Sequence, residues 1–227
     1  MYTIPVIPST DSCHDFAAMR PVALAKLNHH NNLSSMLSQY LVAIGGSAGS
    51  LIPLEHFFER TPLNNASYII VRHLPKEYKS KLGLILDRHS NLQIIEAKQG
   101  APILNNKIYY APPGYHIVLY DGFFRLLKRN GQTTNKSVDI LFESLAFNEN
   151  CQRSIAIILS GAGTDGTRGA EAVKKAGGIV IAQLPSSCDF PSMPQQVIKK
   201  GLAHYVLLPE EMPSLIKGYA DKIVTEI

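Results

Sequence analysis

SIAIILSGAGTDGTRGA, residues 154–170, runs from an apolar stretch straight into a glycine-rich turn and on into a helical period. A strand that passes through a tight turn into a helix is the unit of parallel sheets, because parallel neighbours must be joined by a crossover, usually helical. The stretch therefore predicts an α/β fold. It also poses a question, since Gly161, Gly163 and Gly166 reproduce the G-x-G-x-x-G spacing that cradles dinucleotide phosphates, with Asp165 set inside the same turn.

Working outward, similar short apolar runs recur as LVAIG (41–45), SYIIV (67–71), LQIIEA (92–97), GIVIAQ (178–183) and HYVLL (204–208), with helical periods between them. Leu51, Leu54, Phe57 and Phe58 fall on one helical face, as do Leu82, Ile85 and Leu86. VDILFESLAF makes another helix, and Pro194 and Gly201 bracket one as an N1 proline and a C-terminal glycine. KIYYAPPGYHIVLYDGFFRLL (107–127) breaks the alternation, its Asp121-Gly122 pair between alternating runs being a hairpin signal. The expected architecture is a three-layer sandwich on a mostly parallel, doubly wound sheet with an antiparallel hairpin extension, over residues 39–227. Residues 1–38 show no sustained period and are expected to be a poorly ordered leader or tether, with at most a short helix near Ala23 to Leu27. The polar stretch from Arg129 to Lys136 reads as a surface loop.

Composition narrows the function classes. Apolar residues make up 45% and charged residues 18% of the 227, with no uninterrupted apolar run of about 18 residues that would span a bilayer. The N-terminus has no signal-peptide pattern, so a soluble, cytoplasmic protein without membrane insertion is expected. Cys13, Cys151 and Cys188 are odd in number and scattered, fitting neither a disulfide framework nor a zinc site, so no metal is expected. The net charge of +4 is spread along the chain, which argues against nucleic acid as a partner.

Three polar residues follow apolar strands directly, where ligands bind in open α/β sheets: Ser47, His73 and Asp165. Ser47 sits in GGSAG, a match to the G-x-S-x-G elbow that presents a nucleophile, although a serine there also serves as an ordinary helix N-cap. His73 closes SYIIVRH, and as one of eight histidines it also fits a plain surface residue. Asp165 is equally suited to cap the helix that follows. A dinucleotide fold wants an acidic residue at the end of the next strand to hold the ribose, yet GIVIAQ ends in Gln183, which weighs against a nucleotide cofactor. Ser, His and Asp on neighbouring strand ends have the makings of a nucleophile, a base and a residue orienting that base. Their chain order differs from that of the α/β-hydrolases, so the elbow does not imply that fold.

The strings LVAIGGSAGS, VRHLP, IYYAPPGYHIVL, SVDILFESLA, AIILSGAGTDGTRGAEAVKKAGG and the segment from IAQ to SMPQQVIKKG span most of residues 41–212 in one order. Together they resemble the catalytic domain of the chemotaxis protein-glutamate methylesterases, the CheB family. GGSAGS, EHFFE and IIVRHLPKEYKSKL look especially like methylesterase domains joined to receptor methyltransferases. The resemblance implies Ser47 as nucleophile, His73 as general base then acid, Asp165 as orienting carboxylate, and the backbone N–H of Ala162 as an oxyanion donor. It implies hydrolysis of methyl esters on glutamates of a receptor's helical domain, release of methanol, deamidation of receptor glutamines, and no cofactor. The implied partners are methyl-accepting receptors, and with them a receptor methyltransferase or a separate receiver protein.

His116 and Met193 align with family motifs at the rim of the site, which implies substrate contact; a solvated strand histidine and a core methionine describe them equally well. Arg72, Ser50, Ser192 and Asn135-Lys136 depart from the family's usual residues, bearing on substrate fit rather than on the reaction. Family members often carry a receiver domain of roughly a hundred or more residues, and residues 1–38 are too few for one, so phosphorylation control within this chain is not expected. Two other readings stand beside the esterase: a binding or regulatory module of the same fold without efficient turnover, and a nucleotide-dependent enzyme using the 161–166 loop.

Overall fold

The six apolar runs and the KIYY segment become the seven strands of one sheet. The computed structural model describes residues 40–73, 82–129, 136–148 and 151–222. The leader expected over residues 1–38, with its short helix, lies outside the described residues, as does the centre of the loop between Arg129 and Lys136. The strands are β1 (Tyr40–Gly46), β2 (Ala66–Arg72), β3 (Gln93–Glu96), β4 (Lys107–Tyr110), β7 (Ser154–Ile158), β8 (Ile179–Gln183) and β9 (Tyr205–Leu207), in the spatial order β3-β4-β2-β1-β7-β8-β9. Every neighbouring pair is parallel.

Helices cover both faces. On one face lie α1 (Leu51–Glu59), α2 (Leu82–Leu86) and α6 (Met212–Lys222), and on the other α3 (Ser137–Ala146), α4 (Thr167–Lys175) and α5 (Ser192–Lys199). Strand periodicity divides the core accordingly. Val42 and Ile44 of β1 face α1, burying Leu54, Phe57 and Phe58 beneath that helix, while Leu41 and Ala43 face the cluster of α3, α4 and α5. Because β1 and β7 continue in opposite directions across the sheet, a crevice opens between their carboxyl ends.

The hairpin forms where Asp121-Gly122 places it, joining β5 (Tyr115–Tyr120) to β6 (Phe123–Lys128). Both turn residues have positive φ, 49° and 78°, as a two-residue type I′ turn demands. The hairpin is a two-stranded sheet of its own, laid over α3: Ile117, Leu119 and Phe124 are buried with Leu141 and Leu145, and the Leu119 N–H donates to Ser144 Oγ at 3.0 Å. The KIYY segment that precedes it joins the parallel sheet as β4.

One helix boundary differs from the sequence expectation. Pro194 occupies the third position of α5 rather than the first, with Pro191 before the helix. The first-turn N–H groups of a helix have no intrahelical acceptor, so a proline is tolerated at any of them and marks the start only to within a turn.

Candidate active site

The β1–β2 register pairs Gly46 with Arg72, so Ser47 and His73 leave the sheet side by side at the spacing of adjacent strands, about 4.8 Å. The His73 N–H donates to the Gly46 carbonyl at 3.3 Å, fixing the backbones there. On the other side of β1, the Ser47 N–H donates to Ser160 O at 3.0 Å, which ties the turn after β1 to the turn after β7. Ser47 is not the cap of α1. That position belongs to Ser50, whose N–H and hydroxyl both donate to the Ser47 carbonyl, the hydroxyl at 2.7 Å.

Asp165 meets His73 directly, Oδ2 lying 2.5 Å from Nε2 with the carboxylate almost fully buried. Sequence reasoning offered Asp165 as the cap of α4. Gly166 takes that position instead, and the carboxylate reaches across to a different helix. Its Oδ2 accepts from the Val138 N–H at 3.0 Å, and its Oδ1 accepts from the Asp139 N–H at 2.9 Å and the Gly166 N–H at 2.9 Å. Asp165 therefore closes the N-terminus of α3, whose own preceding residue, Lys136, gives no side-chain cap. These three N–H donors fix both carboxylate oxygens in place beside the imidazole.

The glycine-rich turn presses against the serine. A Cβ at Gly161 would overlap the Met193 sulfur and lie 2.9 Å from Ser47 Cβ, so only glycine allows the two turns to meet. The Gly161 N–H donates to Phe190 O at 2.8 Å, and the Met193 N–H donates to Gly161 O at 3.0 Å. The next residue, Ala162, is exposed in the same turn. Met193 is wholly buried, a core methionine whose sulfur lies against Gly161.

His116 proves to be half-buried rather than solvated, its Nδ1 lying 2.8 Å from Ser137 Oγ at the start of α3. Burial and the Arg129 guanidinium push its pKa down to about 4, with His73 adding to the depression and Asp165 opposing it. At neutral pH it is an uncharged imidazole in electrostatic contact with the His73–Asp165 pair. The folded protein resists a proton that the unfolded chain binds near 6.5, so this residue costs stability as pH falls from about 6.5 toward 4. Thermal denaturation across that window should show Tm of wild type falling more steeply than Tm of His116→Gln, and equal slopes would remove His116 as a cause.

Two positions to which sequence reasoning gave no part in the site complete the support. Gln183, fully buried at the end of β8, accepts the Ser160 N–H on Oε1 at 2.8 Å and donates through Nε2 to Ser187 O at 3.0 Å. An acidic side chain could not make that donation when ionised, which is why an amide stands where a nucleotide fold would have a carboxylate. Ser160 is likewise buried, its hydroxyl donating to Ala48 O at 3.0 Å and accepting the Phe190 N–H at 3.1 Å. The readable signal was a polar residue closing an otherwise apolar strand.

The family profile of the CheB methylesterases matches residues 42–216. The chain belongs to the CheB methylesterase family. It is 34% identical over 191 residues to a protein-glutamate methylesterase/protein-glutamine glutaminase of Symbiobacterium thermophilum, covering 82% of this chain and 52% of the relative. It is 30% identical over 217 residues to one from Shewanella denitrificans, covering 88% of this chain and 61% of that relative. The crystal structure of the Thermotoga maritima CheB methylesterase catalytic domain superposes with a TM-score of 0.72 at 32% identity, over 84% of this chain and the whole of that domain. The chain thus spans between half and two thirds of the length of these curated relatives, in the part that corresponds to the catalytic domain.

Within the family frame, two of the unusual residues turn out to be partners. Arg72 Nε donates to Ser50 Oγ at 2.9 Å, and that hydroxyl in turn holds the Ser47 carbonyl. Among the described residues no helix is long and apolar enough to cross a membrane.

Proposed function

We propose that the protein is a serine carboxylesterase that hydrolyses methyl esters of glutamate side chains on the helical domain of a chemoreceptor-like protein. The observation that carries the reading is the buried Asp165 carboxylate bound to His73 beside Ser47. Asp165 holds His73 through Nε2, so the proton on that nitrogen is fixed and Nδ1 is the ring nitrogen left to act as base, the reverse of the more familiar use of the two nitrogens.

In the first half-reaction Ser47 Oγ attacks the ester carbonyl carbon as His73 Nδ1 takes the hydroxyl proton. Ala162 N–H donates to the oxyanion, and a donor of this kind is worth about 2.7–4 kcal/mol. Methoxide is too basic to leave unaided, so the imidazolium returns its proton to the departing oxygen and methanol is released. Water, deprotonated by the same nitrogen, then attacks the Ser47 acyl ester; the intermediate collapses with Ser47 reprotonated, leaving a glutamate carboxylate. A glutamine amide enters the same sequence with ammonia as the leaving group. Partners would be methyl-accepting receptors, together with a receptor methyltransferase or a separate receiver protein. Cys151 and Cys188 are free, in keeping with a reducing, cytoplasmic location.

Incubation of a methylated receptor fragment with the folded protein should release one methanol per esterified glutamate lost, read by gas chromatography and by the mass of the fragment. Release no faster than the uncatalysed rate would overturn the reading.

A further inference from the structure

We propose that Phe190 is a specificity-determining residue, a rigid aromatic lip that packs against an apolar side chain of the substrate helix one turn from the scissile glutamate. The inference rests on the methylesterase reading and adds how the receptor segment is recognised. A single exposed apolar side chain calls for no explanation in itself. Phe190 is set apart by where it is fastened. It is 46% exposed, yet its N–H is held by the buried Ser160 hydroxyl at 3.1 Å and its carbonyl accepts the Gly161 N–H at 2.8 Å.

Both anchors belong to the turn that touches Ser47: Ser160 O accepts the Ser47 N–H, and Gly161 lies against the Ser47 side chain. Met193, three residues after Phe190, is buried with its sulfur against Gly161. The backbone that carries the ring is therefore fixed to the backbone that carries the nucleophile, through one intervening residue. An aromatic side chain presented on a fixed backbone loses little conformational freedom on binding, and such residues dominate recognition energies. On a helical substrate, positions three or four residues from the esterified glutamate share its face, about 5–6 Å away, the spacing at which a ring carried on the backbone bonded to the Ser160–Gly161 turn would meet it. An apolar residue at such a position is the chemistry the ring fits.

The test compares wild type, Phe190→Ala and Phe190→Tyr on two substrates: a methylated helical receptor fragment with leucine four residues from the ester, and p-nitrophenyl acetate, which is too small to reach the lip. Phe190→Ala should raise KM for the fragment about tenfold, the order expected when an aromatic anchor is truncated, with kcat within about twofold of wild type. Phe190→Tyr should restore KM, and all three proteins should cleave p-nitrophenyl acetate at similar rates. Replacing the fragment's leucine by serine should raise KM for wild type but not for Phe190→Ala. An unchanged KM in Phe190→Ala, or a parallel loss on the small ester that marks a disturbed loop, would overturn the role of Phe190. Wild type that releases no methanol from the fragment would overturn the methylesterase reading itself.

Discussion

Replacing Ser47 by Ala is expected to lower kcat for methanol release by a factor on the order of ten thousand to a million, the range seen when a nucleophile is removed from a cooperating set of residues. The neighbouring hydroxyls of Ser50 and Ser160 are already committed, holding the Ser47 and Ala48 carbonyls at 2.7 and 3.0 Å. The fold should not suffer. Ser47 enters the local hydrogen bonding through its backbone, donating to Ser160 and accepting from Ser50, and alanine keeps both links. The variant should melt with wild type, bind a methylated fragment with similar affinity, and fail to react with a fluorophosphonate that labels the wild-type serine. Methanol release at the wild-type rate from Ser47→Ala would end the covalent mechanism.

Asp165 should show a double loss, of activity and of stability, and the two can be separated. Asp165→Ala removes the acceptor of the His73 ring and of three backbone N–H groups, those of Val138, Asp139 and Gly166. Each buried donor left unsatisfied costs about 1–3 kcal/mol, offset in part by water entering the space, so a net loss of about 3 kcal/mol is expected. For a chain of this size that corresponds to a fall in Tm of roughly 6–12 °C. Asp165→Asn is the more telling variant. Its amide oxygen still accepts the Asp139 and Gly166 N–H groups, but the amide nitrogen replaces Oδ2 and presents donors to the Val138 N–H and to His73. The imidazole must then turn its bare nitrogen toward the amide, leaving a protonated nitrogen facing the serine, and kcat should fall on the order of a thousandfold to ten-thousandfold at a smaller cost in Tm. Activity of Asp165→Asn within tenfold of wild type would show that the carboxylate serves α3 and not His73.

How much of this was legible beforehand varies from residue to residue. Strand runs such as SIAIIL and GIVIAQ could be read because a strand buried on both faces is continuously apolar, and the hairpin could be read because Asp-Gly at positive φ suits one turn type. The placement of Ser47, His73 and Asp165 after strands was visible for the same reason. The alternatives attached to each were not separable in the sequence, since a serine or aspartate before a helix looks the same whether it caps that helix or faces a crevice. His116 was harder still: period-2 alternation sets it on the face opposite Ile117 and Leu119, and gives no sign that its ring reaches Ser137 at the start of α3.

The sequence by itself determined the fold class, the order of strands and helices along the chain, and the three polar residues at strand ends, because these depend on periodicity and on turn chemistry within a few residues. Only the tertiary structure decided that β1 lies between β2 and β7, which sets residues 47, 73 and 165 of a linear chain around one crevice. It alone revealed that Asp165 caps α3 rather than the helix beside it, that Gln183 and Ser160 hold the two turns together, and that Phe190 stands at their edge. The physical reason is the range of the interactions: hydrophobic periodicity is written locally, whereas a buried carboxylate, amide or hydroxyl is satisfied in part by groups that packing brings to it from far along the chain, 23 positions away for Gln183 and 112 for Ser160.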